Sequence, residues 1–339
     1  MVYVHVPFCR SFCTYCDFYS EIADRCRERE TLDRYVGSIL AEIEGRKEEI
    51  KASKAVNTVY IGGGTPSVLP LCDLERIVDA IAAVQPGPWK EFTIEVNPED
   101  IVEKGPGYVK GLVELGVNRI SMGVQSLDDG LLKWMNRRHD SSRAAQAFRI
   151  IRSQGIDNIS VDVIFGISQL EESTLESTLD GILGWGPDHI SAYQLSVEAG
   201  SALAAMVDRG QYTEADEEKC RRQYETLCRK LREAGFHHYE ISNWAVPGKE
   251  AVHNSAYWTR AAYVGLGPGA HSLSLGPEQK RCWNSQELYD WKQSCEILTE
   301  EEIREERIML GLRTDKGVDG TVIPEKDWFI SDSIILDSI

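Results

Sequence analysis

Short apolar runs alternate with longer amphipathic stretches along the first part of the chain. VYVHV (2–6), NTVYI (57–61), FTIEV (92–96), VNRISMGV (117–124), NISVDVIFG (158–166) and HISAYQL (189–195) are five to nine residues long. They are rich in Val, Ile, Phe and Tyr, so they read as strands. Helical spacing of apolar positions fills the intervals near 31–51, 72–84, 106–115, 128–135, 141–154 and 172–184. Strands alternating with helices predict β/α units and a parallel sheet. Six such units predict an α/β fold, either an open sheet or a partial (β/α)6 barrel. A smaller, mainly helical C-terminal region is expected to follow. Its helix TEEEIREERIMLGLRT begins with a capping box, Thr299 and Glu302. The expected division is a barrel core over 1–205, a helical and mixed extension over 206–295, and a short C-terminal domain over 296–339.

The polar residues that interrupt this pattern gather at the C-terminal ends of the strands. A cysteine loop follows the first strand, GGGTPS the second, EVNP the third and GVQS the fourth; Asp162 and FGI end the fifth, and YQLSVEAG ends the sixth. In a parallel barrel these ends share one face, where the active site lies. Gly62, Gly63 and Gly64 let a ligand approach the backbone, although a tight strand-to-helix turn explains them as well. Glu95 is placed to meet an ammonium group, Gln125 and Asp162 to meet ribose hydroxyls, and Arg137 a carboxylate. Each is weak alone; together they predict a polar ligand in the barrel mouth.

Three cysteines, Cys9, Cys13 and Cys16, fall within eight residues. Disulfides pair thiols two by two, which leaves one over. Structural zinc takes four ligands, and no fourth Cys or His follows at finger spacing. Iron–sulfur clusters usually take four thiolates. Three therefore suggest a cluster with one iron open to a small molecule. The plain alternative is three buried small apolar side chains. Cys26, Cys72, Cys220, Cys228, Cys282 and Cys295 are scattered and read mostly as packing residues.

Charge and hydropathy narrow the setting. The net charge of −17 disfavours a nucleic-acid partner, which needs cations to neutralise phosphates. No run approaches the ~20 apolar residues of a membrane span. The N-terminus carries no charged-then-apolar signal segment, so a cytoplasmic protein with reduced thiols is expected, associated with membranes at most through its clients.

CRSFCTYC resembles the cluster loop of the radical S-adenosylmethionine (SAM) superfamily. YVHVPFC, CDFYS, GGGTPS, EVNP, RISMGVQS, HISAYQLSVEAG and GLGPGAHS together resemble its oxygen-independent coproporphyrinogen dehydrogenase group, and within that the HemW-type haem-chaperone branch. The likeness runs from Tyr3 to about Thr314 and returns in SDSIILDSI. It implies that Cys9, Cys13 and Cys16 hold three irons of a [4Fe–4S] cluster whose fourth iron takes the amino and carboxylate groups of SAM. Electron transfer from the cluster then cleaves SAM to methionine and a 5′-deoxyadenosyl radical. Gly63, Gly64 and Thr65 are implied along the methionine part of SAM, and Tyr3, Tyr15, Glu95, Gln125, Arg137 and Asp162 at its other contacts. No catalytic residue is assigned.

Two features bear on the branch. The dehydrogenases carry a further cysteine two residues after the third, where this chain has Phe18; they also have a longer N-terminal extension. The chaperone branch has an HNxxYW motif, matched here by HNSAYW, His253 to Trp258. His253 is then a candidate axial ligand for haem iron, and Tyr257 and Trp258 candidates for the porphyrin face. The plain reading is a packed helix end with a hydrogen-bonded His253; His5 and His271 are lesser candidates. The implied partners are haem, client haem proteins and an electron donor such as a flavodoxin or ferredoxin. The C-terminal domain is shorter than the branch usually has.

Overall fold

The computed structural model describes residues 1–22 and 29–339. Six strands appear where the apolar runs predict them: β1 (Val2–Val6), β2 (Thr58–Gly63), β3 (Glu91–Val96), β4 (Arg119–Gln125), β5 (Ile159–Phe165) and β6 (His189–Gln194). Three more, β7 (His237–Glu240), β8 (Asn243–Ala245) and β9 (Val264–Leu266), join them in one nine-stranded sheet. Its order is β9-β1-β2-β3-β4-β5-β6-β8-β7. Pairing is parallel from β9 to β6; β8 then runs antiparallel to both β6 and β7. The two edges, β9 and β7, stay apart in the hydrogen-bonding order, which makes this a partial barrel.

The core follows from burial on both faces of the parallel strands. Ile61, Ile94, Met122 and Val161 are all buried on neighbouring strands. Each such side chain contributes about 1.5–3 kcal/mol relative to exposure. The covering helices include α1 (Arg29–Gly45), α2 (Lys47–Ala52), α3 (Leu71–Val84), α4 (Pro98–Glu114), α5 (Asp129–Trp134), α6 (Ser141–Ser153) and α7 (Glu172–Leu183). Two differ from the expected spans. The stretch near 31–51 divides at Arg46, whose buried guanidinium reaches Gly265 O at 2.8 Å and Ser272 Oγ at 2.9 Å. The helix expected from 106 is present and is joined at its start to an earlier helical segment from Pro98, which Asn97 caps by accepting from Glu99 N at 3.1 Å. Gly105 (φ 71°) then kinks it just before Pro106.

From 202 onward the helices are α8 (Ala202–Asp208), α9 (Glu217–Glu233), α10 (Val252–Trp258), α11 (Glu300–Leu312) and α12 (Ser331–Leu336). The Thr299–Glu302 capping box starts α11. The same region also supplies β7 to β9 and a separate antiparallel sheet of β10 (His271–Leu275), β11 (Gln279–Asn284) and β12 (Gln293–Ile297). Cys282 and Cys295 stand directly opposite each other in that sheet and form a disulfide, so they are not plain packing thiols. Cys26 lies outside the described residues. Among those residues no helix is long and apolar enough to cross a membrane.

Candidate functional site

The loop after β1 is held from several sides. Thr14 N donates to Met135 O at 3.1 Å, Thr14 Oγ1 to Trp134 O at 2.8 Å, and Leu203 N to Thr14 O at 2.8 Å. Asn136 Nδ2 donates to Phe12 O at 2.7 Å. The end of α5 and the start of α8 therefore pin the segment between the cysteines. Cys16 N donates to Cys13 O at 3.3 Å, a tight turn that brings the later thiols together. Cys9, Cys13 and Cys16 are free and line a cavity of about 630 Å³ at the C-terminal ends of the strands. Burial raises the Cys9 thiol and pushes Cys16 up to about 11, so a metal must displace those protons on binding.

The glycine turn after β2 is laced to this loop. Gly64 N donates to Val6 O at 2.8 Å and Thr65 N to Phe8 O at 2.7 Å. Thr65 Oγ1 lies 3.4 Å from Cys9 Sγ. A Cβ on Gly64 would sit 2.8 Å from Phe8 O and 3.0 Å from Cys9 Sγ. A Cβ on Gly63, where φ is +112°, would meet the His5 ring at 2.7 Å. A side chain at Gly63 thus strains the turn itself before it meets any ligand. Gly64→Val is expected to lower iron loading at Cys9 as well as SAM binding. Iron content and SAM affinity measured on a folded variant check this; wild-type values for both would remove Gly64 from the cradle.

The polar groups at the other strand ends face the same cavity. Glu95 accepts from Tyr60 OH at 2.7 Å and from Gly63 N at 3.1 Å. Asp162 accepts from Ser121 Oγ at 3.2 Å. Gln125 sits at a bulge between β4 and β5 with φ of 71°, a strained position for a residue other than glycine. Arg137 donates to Gly123 O at 2.6 Å and to Cys13 Sγ at 3.3 Å, while its buried Nε has no partner. Tyr15, Gly63, Gly64 and Thr65 complete the expected set along the wall. Tyr3 is set apart: it stands behind the glycine turn, its hydroxyl 3.0 Å from His5 Nδ1, and does not line the cavity.

Tyr60, Ser121 and Tyr193 join the site without having been singled out from the sequence. Tyr60 and Ser121 orient the two carboxylates, and Tyr193, 45% exposed, lines the wall beside Ile164 and Leu195. Their signal was available in the period-two alternation that points Tyr60 and Gly62 to one side of β2. Phe18 is 67% exposed on the cavity rim.

Burial, reinforced by the negative charge of Asp162, pushes the Glu95 carboxyl from 4.5 up to about 7. Because the folded value is raised, the contribution of Glu95 to stability is full below about 4.5 and is lost as pH rises through about 7. A cationic ligand reverses the preference, since it needs the carboxylate. SAM affinity is therefore expected to rise up to about tenfold per unit as pH climbs towards 7, and to level off above it. Glu95→Gln should flatten that profile in calorimetric titrations between pH 6 and pH 8. An equally steep profile in the variant would detach Glu95 from the ammonium.

These residues fit a cluster and a small zwitterion: three free thiols, a glycine cradle that a Cβ would fill, and an unpaired buried guanidinium nitrogen. The HNSAYW residues lie elsewhere. His253 is 1% exposed, with Nδ1 2.9 Å from Thr58 Oγ1 and Nε2 3.1 Å from Tyr257 OH. The backbone N–H groups of Val252 and His253 donate to Glu91 at 2.7 and 3.0 Å, which seats the start of α10 on a buried carboxylate. Burial holds the His253 imidazole down at about 3. Trp258 is half-buried with Arg313 over its ring at 5.3 Å. In this conformation the packing of α10 occupies both ring nitrogens of His253, while Tyr257 and Trp258 are half-buried beside it. His5 is buried beneath the glycine turn, and His271 is exposed on β10.

The radical SAM superfamily profile matches residues 3–182. The chain is 36% identical to the haem chaperone HemW of Synechocystis sp. over 338 residues, covering 95% of this chain and 80% of that protein. It is 32% identical to the haem chaperone HemW of Bacillus subtilis over 335 residues, covering 96% and 86%. Its fold is similar to that of the coproporphyrinogen III oxidase HemN from Escherichia coli, a radical SAM enzyme. The TM-score is 0.76 at 19% identity, with 93% of this chain and 75% of that one covered.

Proposed function

We propose that this chain, which belongs to the radical SAM superfamily and within it to the HemW family, binds a [4Fe–4S] cluster and SAM in one cavity and delivers haem to client proteins. The observation that carries the cofactor reading is the convergence of three free thiols, the glycine turn and the polar strand ends on that cavity. The haem reading rests on the HemW relatives, which match 93% or more of this chain in the Synechocystis, Bacillus subtilis and Lactococcus lactis proteins. Residues 1–205 form the core that holds the cofactors, 206–295 the extension that carries HNSAYW, and 296–339 a short C-terminal domain.

When bound, the cluster and SAM supply one-electron chemistry. The chain's own residues bind and orient. Cys9, Cys13 and Cys16 are the iron ligands, and Arg137 holds a charge beside Cys13. The unpaired Arg137 Nε is the donor for the SAM carboxylate, Glu95 the acceptor for its ammonium, and Asp162 with Gln125 the partners of ribose hydroxyls. As a haem ligand, His253 must exchange one of its ring contacts, to Thr58 or to Tyr257, for iron. The electron donor is a small flavin or iron–sulfur protein.

The second reading is an oxygen-independent coproporphyrinogen III dehydrogenase, favoured by the HemN-like fold. Phe18, in place of the dehydrogenases' further cysteine, stands against it. One preparation decides between them. The cluster-loaded protein is expected to bind haem, to pass it to an apo-haem protein, and to leave coproporphyrinogen III unchanged with SAM and a reductant. Turnover to protoporphyrinogen IX would overturn the chaperone reading.

A further inference from the structure

Helix α9, strand β7 and the helical turn Glu325–Ile330 meet around a second cavity of about 440 Å³ that shares no lining residue with the first. There Cys228 Sγ, a His238 ring nitrogen and a Glu325 carboxylate oxygen lie within 4.8 Å of one another. The His238 ring is fixed by its neighbours. It stacks on Trp244 with centroids 4.0 Å apart and meets the edge of Trp328 at 4.3 Å. Nε2 lies 3.3 Å from Ile241 O, and Nδ1 lies 3.0 Å from Glu325 Oε1.

A neutral imidazole has one N–H. With that proton on Nε2, donating to Ile241, Nδ1 turns a lone pair towards the Glu325 carboxylate; with it on Nδ1, donating to Glu325, Nε2 turns its lone pair towards the Ile241 carbonyl. In either form one ring nitrogen faces an acceptor with a lone pair, and Cys228 lies beside the His238–Glu325 pair. A proton on both nitrogens would satisfy the pair, but it charges a ring whose side chain is only 5% exposed. A cation satisfies all three groups at once. The Ile241 carbonyl on the far nitrogen is then the outer partner that metal-bound histidines ordinarily have.

We propose that Cys228, His238 and Glu325 form a mononuclear site for a divalent cation of the zinc class, with its fourth position open to the cavity for water or a small anion. Thiolate, imidazole and carboxylate together suit this class, and three protein ligands leave one position free. Bond lengths of about 2.0–2.3 Å place ligand atoms roughly 3.2–3.8 Å apart, so small side-chain rotations close the site. Arg232, 62% exposed, now donates to Glu325 Oε1 at 2.8 Å and swings outward when the ion takes that carboxylate. Binding transfers the Cys228 proton to solvent. The ion ties the C-terminal turn to α9 and β7, segments that are far apart in sequence.

The test uses cluster-loaded protein, so that Cys9, Cys13 and Cys16 are already occupied. Zinc chloride is titrated by calorimetry, and metal content is counted after dialysis. The expected result is one zinc per chain beyond the cluster iron, with Kd raised at least about tenfold by Cys228→Ser and by Glu325→Gln. Glu325 is partly exposed, so Glu325→Gln keeps the fold if the cysteine variant does not, and circular dichroism verifies this. Absence of zinc binding by the wild type would leave a His238–Glu325 hydrogen bond only and overturn the proposal. Zinc bound equally by both folded variants would overturn it too.

Discussion

Cys13→Ala, Cys9→Ala and Cys16→Ala are each expected to lose essentially the whole iron–sulfur cluster, seen as background iron content and loss of the visible absorbance after anaerobic reconstitution. Three thiols converge on one cavity, and among the described residues no fourth cysteine joins them there. A cluster left with two protein ligands has two labile irons and does not persist. The fold should survive. The loop is held by backbone and Thr14 contacts to α5 and α8 and does not depend on the thiols themselves. Cys72→Ala is the control, since Cys72 is exposed on α3 and outside the cavity. Full iron in all three loop variants would refute the ligand assignment.

The strands β1 to β6 were legible because buried apolar residues recur at every second position, as with Ile120, Met122 and Val124 on β4, while polar residues such as Arg119 and Ser121 occupy the other face. The loop residues at their ends were legible for a related reason. A parallel barrel gathers its C-terminal strand ends on one face, so chain order alone placed Cys9, Gly64, Glu95, Gln125 and Asp162 together. What sequence hid were pairings between distant segments. β9 is three residues long and packs against β1 from more than 250 positions away. β7 and β8 extend the far edge only because β6 offers them an unpaired side. The Cys282–Cys295 pair depends on the register of β11 against β12, which spacing does not reveal. Tyr3 was placed among the ligand contacts by resemblance, yet the His5 ring and the glycine turn set it one layer behind.

His253→Ala is expected to act twice, and the two effects separate its roles. The haem-free variant should lose about 2–4 kcal/mol of stability, because it empties a buried imbedded ring site and strands Thr58 Oγ1 and Tyr257 OH. Denaturant unfolding measures this without any haem present. The haem-loaded variant should show a changed absorption spectrum, because an axial ligand is lost. Affinity is expected to fall less, since a porphyrin gains much of its binding from apolar contact. Tyr257→Phe supplies the sharper comparison. It removes the hydroxyl that occupies His253 Nε2 and costs about 1 kcal/mol of stability. If His253 ligates haem, that nitrogen is freed in advance and haem binds more tightly than to the wild type. If His253 only anchors α10, Tyr257→Phe loses stability with no gain in haem affinity, and His253→Ala keeps the wild-type haem spectrum. That combination would remove His253 from the haem site and leave HNSAYW as the motif that docks α10 onto Glu91 and Thr58.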